Sequence, residues 1–504
     1  MLDSKSMLFI KFSNTIDMKY TSINNSIFAF LLILTIGTVS CKKDFLDTVP
    51  NTSIDQAEAF STPAKILAQV NNLYGRLQNQ NLYGGRLIVF NEQRGDEFGQ
   101  NDGNAATGSA VWNQNVASSN EYINDVWANA YSAINNANIL IEKLESSTVI
   151  PDSTIKQYTA EAKFVRALSY LNLVQTYAKP YNIDKSAPGV PLRLVAVTTA
   201  GSSDLARSSV EEVYTQIIKD LDDAEFWLPN SYKTSYLNKT RAQKSTAIAL
   251  KTRIYLHQAQ YQKVIEEASK IVPNFSPYFY SSGTLSLQLE NNIATVFGGS
   301  YTGNEAILSM PFANSTTETP ASQYSLAFNY LGQPIIFLAN NGIVANIALQ
   351  DPSDARAALV GLDAANHKVL KKFALTTAPF RDYVPVIRYA EVLLNYAEAA
   401  AKIGDQTKSI DLLKSVRNRS NPEFVFPSDD LQFPDNIITT IITERRIELL
   451  GEGFRLQDLQ RQGKTLPAKI GSIGTAPEVL PTAKNYIWPI PSGELSANKL
   501  CIPN

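Results

Sequence analysis

Apolar positions recur every three or four residues along most of this chain, a spacing that predicts amphipathic helices rather than strands. From about Gln56 to Gln78, residues Phe60, Ile66, Val70, Leu73 and Tyr74 fall on one helical face. Further helices are predicted at Asn120 to Leu144, Ile155 to Tyr177 and Val210 to Leu228. Between Thr246 and Val272, Ala249, Tyr255, Leu256 and Ala259 line one helix; after a Gln-Tyr turn, Val264, Ile265 and Ala268 line a second. The design recurs from Tyr389 to Arg417, where Tyr396-Ala397-Glu398-Ala399 and a Gly404-Asp405 turn precede Ile410, Leu413 and Val416.

These helix pairs, whose alanines let two backbones approach, resemble tetratricopeptide (TPR) units without a strict period. With degenerate pairs at 120–177, they predict a stacked array. Two stretches break the pattern. Residues 79–118 are rich in Gly, Asn, Gln and Ser, and residues 273–385 scatter tyrosines among Gly, Ser, Asn and Thr. Pro320, Pro334, Pro352 and Pro379 exclude one continuous helix in the second stretch, where Glu305 to Phe312 is expected to form a strand. Long irregular stretches are usually functional or disordered. The expected fold is mainly α, a TPR-like helical-pair scaffold with large loop-rich inserts at about 79–118 and 273–385.

Ile27 to Val39 is an uncharged apolar run, too short for a spanning helix of roughly 20 residues. It fits the core of a secretory signal at residues 1–40, with Met18-Lys19 as its basic start. Asp3 and Asp17 are unusual ahead of such a core, and translation from Met18 would give a leader of ordinary length. Thr38-Val39-Ser40-Cys41 resembles a bacterial lipobox, with Thr in place of the usual Leu. Cys41 is therefore the expected lipid-attachment site, and residues 41–55 form a tether. Several acyl chains on one residue hold far more firmly than a single chain.

Composition narrows the chemistry. Lys and Arg number 45 against 47 Asp and Glu, so no net field recruits nucleic acid. Once Cys41 is lipidated only Cys501 remains, which leaves no intrachain disulfide. His257 and His367 lie far apart in no ligand-like spacing, so no His/Cys metal site and no cofactor is expected.

The most specific pattern lies near the end of the chain. Glu444-Arg445-Arg446-Ile447-Glu448-Leu449, Glu452-Gly453-Phe454-Arg455, Asp458-Leu459, Arg461 and Gly463-Lys464 resemble the signature of the SusD/RagB family. Supporting marks are Phe45-Leu46-Asp47, Trp127 with Tyr131, Ile134 and Asn138, and Glu161-Ala162-Lys163-Phe164 with Arg166. Gly189-Val190-Pro191-Leu192, Arg388-Tyr389-Ala390-Glu391 and Pro489-Ile490-Pro491 complete them. The resemblance implies an outer-membrane, surface-exposed nutrient-binding lipoprotein that does no chemistry itself. It implies a lid over a TonB-dependent, SusC-like transporter, to which oligosaccharides, or peptides in some branches, are delivered. On spacing alone, Glu444, Arg445 and Glu448 are expected to pair along one helix face. Arg446 and Arg455 are each placed to hold a carboxylate or a carbonyl array at a helical junction, and Trp127 is expected in the core.

Sugar recognition needs aromatic faces for pyranose C–H surfaces and amides or carboxylates for hydroxyls. The stretch 79–118 offers Tyr83, Arg86, Asp96, Glu97, Asn101, Asp102, Trp112 and Asn113, with Trp112 the first choice because no helical period buries it. Tyr278, Tyr280, Tyr301, Tyr324 and Tyr330 are further candidates, each equally compatible with packing. A glycoside hydrolase using two carboxylates such as Asp96 and Glu97 or Asp102 is the less favoured alternative.

Overall fold

The structure, a computed structural model, describes residues 56–504 except 200, 202–203, 299–301 and 316–318. Cys41, the leader, the tether and Tyr301 lie outside the described residues. Ala59–Asn504 packs as one unit.

Helix α1 (Pro63–Leu77) starts where Thr62 accepts a hydrogen bond from the Lys65 N–H and Pro63 takes the first turn, where its missing N–H costs nothing. Residues 79–118, expected to be irregular, instead hold helix α2 (Arg86–Arg94), a strand at Phe98–Gln100 and a short helical turn at Ser109–Trp112. Nearly every residue of α2 is buried, polar ones included, so burial along it does not follow polarity. The predicted long helices follow as α3 (Glu121–Glu145), α4 (Asp152–Tyr177) and α5 (Val210–Trp227). Ser209 and Glu212 close a reciprocal capping box at the start of α5. Helix α4 packs between α3 and α5.

The two TPR-like segments become α6 (Lys244–His257) with α7 (Tyr261–Ala268), and α8 (Tyr389–Ile403) with α9 (Gln406–Ser420). Gly404, at φ +93°, supplies the left-handed turn that ends α8. Helix α7 also packs on α8, where Tyr255, Leu256, Val264 and Ala399 share one buried cluster. Helix α8 is buried on all sides from Tyr389 to Ala401, so each of its polar groups needs a partner. Glu391 receives Arg253, Asn395 bridges Thr252 and Arg445, and Glu398 receives Arg461.

Residues 273–385 hold short strands and single helical turns. The expected strand forms at Ala306–Met310 and pairs antiparallel with Val384–Arg388, which leads straight into α8. Helices α10 (Pro434–Glu448) and α11 (Arg455–Arg461) carry the signature. The fold is mainly α among the described residues, and no described helix is long and apolar enough to cross a membrane.

The signature charges do not pair along α10 as spacing suggested. Glu444 pairs with Arg356 and Arg417, Arg445 with Asp458, and Glu448 with Arg356, Arg388 and Arg419. Arg388 also reaches Glu305 and Glu452, and Lys372 joins Glu452. The motif thus ties α10 to α9, to the strand before α8 and to the irregular segment. Burial works against the Glu448 charge, but the cations of Arg419, Arg388 and Arg356 outweigh it and hold its pKa well below the carboxylate norm. Arg446 and Arg455 do hold carboxylates, Glu97 and Asp96 respectively, and Arg455 does so through both of its contacts at 2.6 and 2.8 Å.

Candidate ligand-binding site

Where α1 ends, the amide run Gln78-Asn79-Gln80-Asn81 turns back on itself. The Asn79 side chain accepts from the Asn81 N–H at 2.9 Å, and the Arg86 N–H donates to the Gln80 carbonyl at 3.1 Å. Gly84 and Gly85 permit this fold. A Cβ on Gly84 would lie 2.4 Å from the Gln80 Cα, and one on Gly85, at φ +139°, 2.2 Å from the Tyr324 carbonyl oxygen.

The Gln78 amide donates to the Pro311 carbonyl at 2.6 Å and fixes the irregular segment against this loop. Between them lies a cavity of about 680 Å³, lined by Gln78, Asn79, Gln80, Tyr236, Phe312 and Pro320 among others. Gln80 also accepts a long contact from the Ala321 N–H at 3.4 Å, which links the cavity to Tyr324 a few residues on.

The Arg86 guanidinium lies against two tyrosine rings, 3.8 Å from the centroid of Tyr324 and 4.2 Å from that of Tyr122. Arg86 is 2% exposed; Nη2 donates to the Ala106 carbonyl, and Nη1 has no partner. Burial lowers its pKa below the arginine norm, opposed by the phenols of Tyr324 and Tyr122 and by Asp125 and Glu121. Both tyrosines are half-buried, so each is fixed by the cation yet keeps part of its ring accessible. Amides beside rigid aromatic faces can grip a hydroxylated, ring-shaped ligand.

Of the sequence candidates, Arg86 and Tyr324 belong to this arrangement. Trp112 is a correction: it is 0% exposed and its indole N–H donates to the Phe98 carbonyl at 3.0 Å. The hairpin of Lys469–Gly471 and Gly474–Ala476 covers it, and a Cβ on Gly471 would come within 3.0 Å of its ring. Tyr83 is buried and donates to Asn172, while Tyr330 is buried against Phe98 and donates to the Gly451 carbonyl. Tyr278 is buried with the Lys408 ammonium over its ring. Tyr280 is half-buried in a hairpin against the core. Asp96 is held by Arg455, and Asn101 donates to the Pro334 carbonyl. Glu97 takes Arg446 and the Ile343 N–H, so the carboxylates considered for hydrolysis at 96 and 97 are both occupied by structural partners. Sequence reasoning missed Gln80, Tyr122, Tyr236 and Phe312. The amide run at 78–81 was the signal available for the first.

Residues 44–256 match a family described as "Starch-binding associating with outer membrane", and residues 377–502 match one described as the SusD family. A crystal structure of a SusD superfamily protein from Bacteroides fragilis is 31% identical, with a TM-score of 0.77, over 88% of this chain and 99% of that one. The SusD-like protein P2 of Formosa agariphila is 25% identical over 94% of this chain and 98% of its own length. A laminarin-binding SusD-like protein shares the fold at a TM-score of 0.69 and 22% identity, over 88% of this chain and 99% of that one. With the signature charges knitted through α8 to α11 and matches spanning both halves, the chain belongs to the SusD family.

Proposed function

We propose that this protein is a cell-surface lipoprotein that binds oligosaccharides and delivers them, as a lid, to a TonB-dependent SusC-like transporter in the outer membrane. The observation that carries the binding step is the cavity lined by Gln78, Asn79 and Gln80 on one side and Pro311, Phe312, Ala313, Thr319 and Pro320 on the other, joined to the segment of the Tyr324–Arg86–Tyr122 cluster by the Gln80–Ala321 contact. Its amides read hydroxyls, and its half-exposed rings offer flat faces at little entropic cost. The starch-binding description of the matching family and the laminarin-binding relative support a glycan over other ligands. Attachment through Cys41 and handover to a barrel rest on the family resemblance and the lipobox-like Thr38-Val39-Ser40-Cys41.

Isothermal titration against soluble plant, host and microbial glycans, with oligopeptides in parallel, tests the reading. Saturable binding of one glycan class supports it. A blank glycan panel with peptide-induced melting shifts would replace it by peptide capture, and release of reducing sugar by the purified protein would overturn the purely binding role. Co-purification of a barrel transporter tests the partner. Release of the Cys41→Ala variant from membranes tests the anchor.

A further inference from the structure

The first turns of α3 bring two carboxylates to the Arg86 cluster. Glu121, Tyr122 and Asp125 share one face of this helix, and the β-carbons of Tyr122 and Asp125, three residues apart, lie about 5–6 Å from each other. Tyr122 is the ring 4.2 Å from the Arg86 guanidinium. Asp125 and Glu121 are the two carboxylates whose charges act on that guanidinium.

Asp125 is half-buried, yet its carboxylate makes no hydrogen bond or ion pair with any described residue and stays open to solvent. Only its backbone carbonyl is used, by the Asn129 amide at 2.8 Å. The helix does not need the side chain as a cap, because Asn120 already accepts from the Tyr122 and Ile123 N–H groups. Burial raises the Asp125 pKa, Arg86 opposes the rise and Glu121 adds to it.

The cation of this cluster is closed off, since Arg86 is 2% exposed. The charges that an arriving ligand meets at the two rings are therefore negative: Glu121, exposed, and Asp125, half-buried. The cavity at Gln78, Asn79 and Gln80 has no charged side chain among its described lining residues. An ionised carboxylate only accepts hydrogen bonds, and its bonds from hydroxyls are about twice as strong as neutral ones. Within a screening length of about 8 Å it also repels other anions.

We propose that this site selects uncharged glycans over uronic-acid or sulfated ones, and that Asp125 sets the choice. Its carboxylate accepts neighbouring sugar hydroxyls and, with Glu121, turns away anionic substituents. This selectivity rests on the glycan-binding reading of the Tyr324–Arg86–Tyr122 cluster.

Calorimetry of the purified protein tests it in two steps: a panel of neutral glycans, then the one that binds against its own sulfated and carboxyl-oxidised derivatives. The neutral parent should bind several-fold more tightly than either derivative, and added salt should narrow the gap. Asp125→Asn keeps the shape and should melt like wild type. It should lose about 10- to 100-fold in affinity for the parent, the worth of hydrogen bonds to a charged group, and discriminate less against the derivatives. Asp125→Lys should favour the acidic derivatives. Acidic derivatives that bind wild type as well as the parent would overturn the selectivity. Unchanged affinity and preference in Asp125→Asn would overturn the role of Asp125. In both cases glycan binding itself would stand. Failure of every glycan, neutral or acidic, to bind would overturn both readings together.

Discussion

Glu448 and Arg388, both closed off from solvent, meet at 3.1 Å between Oε1 and Nη1. The same carboxylate takes Arg419 at 2.5 Å and Arg356 at 3.2 Å, while the Lys372 ammonium caps the Glu448 backbone carbonyl at 2.7 Å. One anion therefore serves three guanidiniums drawn from three parts of the chain. Removing one member of a buried ion network strands the others without water to compensate them. Glu448→Gln should destabilise the protein by about 3–5 kcal/mol, read from the urea midpoint, whereas ligand affinity of the folded fraction should hold. A change below about 1 kcal/mol would show that the network tolerates the loss of its centre.

Glu92 presents the opposite case. Its Oε1 accepts the Gly453 N–H at 2.6 Å, its Oε2 is buried without a partner, and burial, with Glu97 and Glu452 adding to it, raises its pKa to about 8. The native state thus holds a proton that the unfolded chain, with the ordinary glutamate value of 4.5, has released at neutral pH. The contribution is complete below the unfolded value and is lost as pH rises towards the folded one, by about 1 kcal/mol per pH unit in between. Glu92→Gln should remove that slope: near-neutral in effect under acidic conditions, and stabilising at mildly alkaline pH. Denaturation curves collected across that range, wild type against variant, would refute this if the two ran parallel.

Trp112 is enclosed by its own segment and by the hairpin at 469–476, with its N–H satisfied by Phe98. Trp112→Ala should therefore cost about 3–5 kcal/mol of stability while leaving glycan affinity of the folded fraction intact. A binding defect without a change in melting would instead place the ring at the ligand.

These contrasts show which information local spacing carries. Helices α1, α3 and α5 were legible because one face of each is wet, and the apolar period survives; α4 is buried almost all round from Ala160 to Tyr177 and was legible from its unbroken run of helix-forming residues instead. Helix α2 was not: Leu87 to Phe90 are buried together with Glu92, Gln93 and Arg94, so burial along it does not follow polarity. The signature residues were visible, but not their partners. Glu444 finds Arg356 and Arg417, and Glu448 finds Arg388 and Arg419, across sequence distances that no helical periodicity encodes. Trp112 misled because its polar sequence neighbours say nothing of a hairpin folded over it from hundreds of residues away. Tyr324 was legible as an aromatic in a polar stretch; its clamp on Arg86 exists only in three dimensions.

That clamp yields the prediction on which the glycan site depends most. Tyr324 lies on Arg86 at 3.8 Å and is half-buried, so its ring is held in place without being sealed in. Tyr324→Ala should weaken glycan binding by about 1–3 kcal/mol if the ring stacks as aromatic platforms do elsewhere. Stability should fall by only about 0.5–2 kcal/mol, the range of one cation–π contact, because Tyr122 still lies 4.2 Å from the guanidinium. Tyr324→Phe keeps the face and should keep most of the affinity, which separates stacking from a hydroxyl contact. Gln80→Ala, which leaves the stack alone but removes an amide from the cavity, should weaken binding independently. Titration of the three variants against the glycan that binds wild type would decide it: full affinity in both Tyr324→Ala and Gln80→Ala would move the binding site elsewhere on the protein.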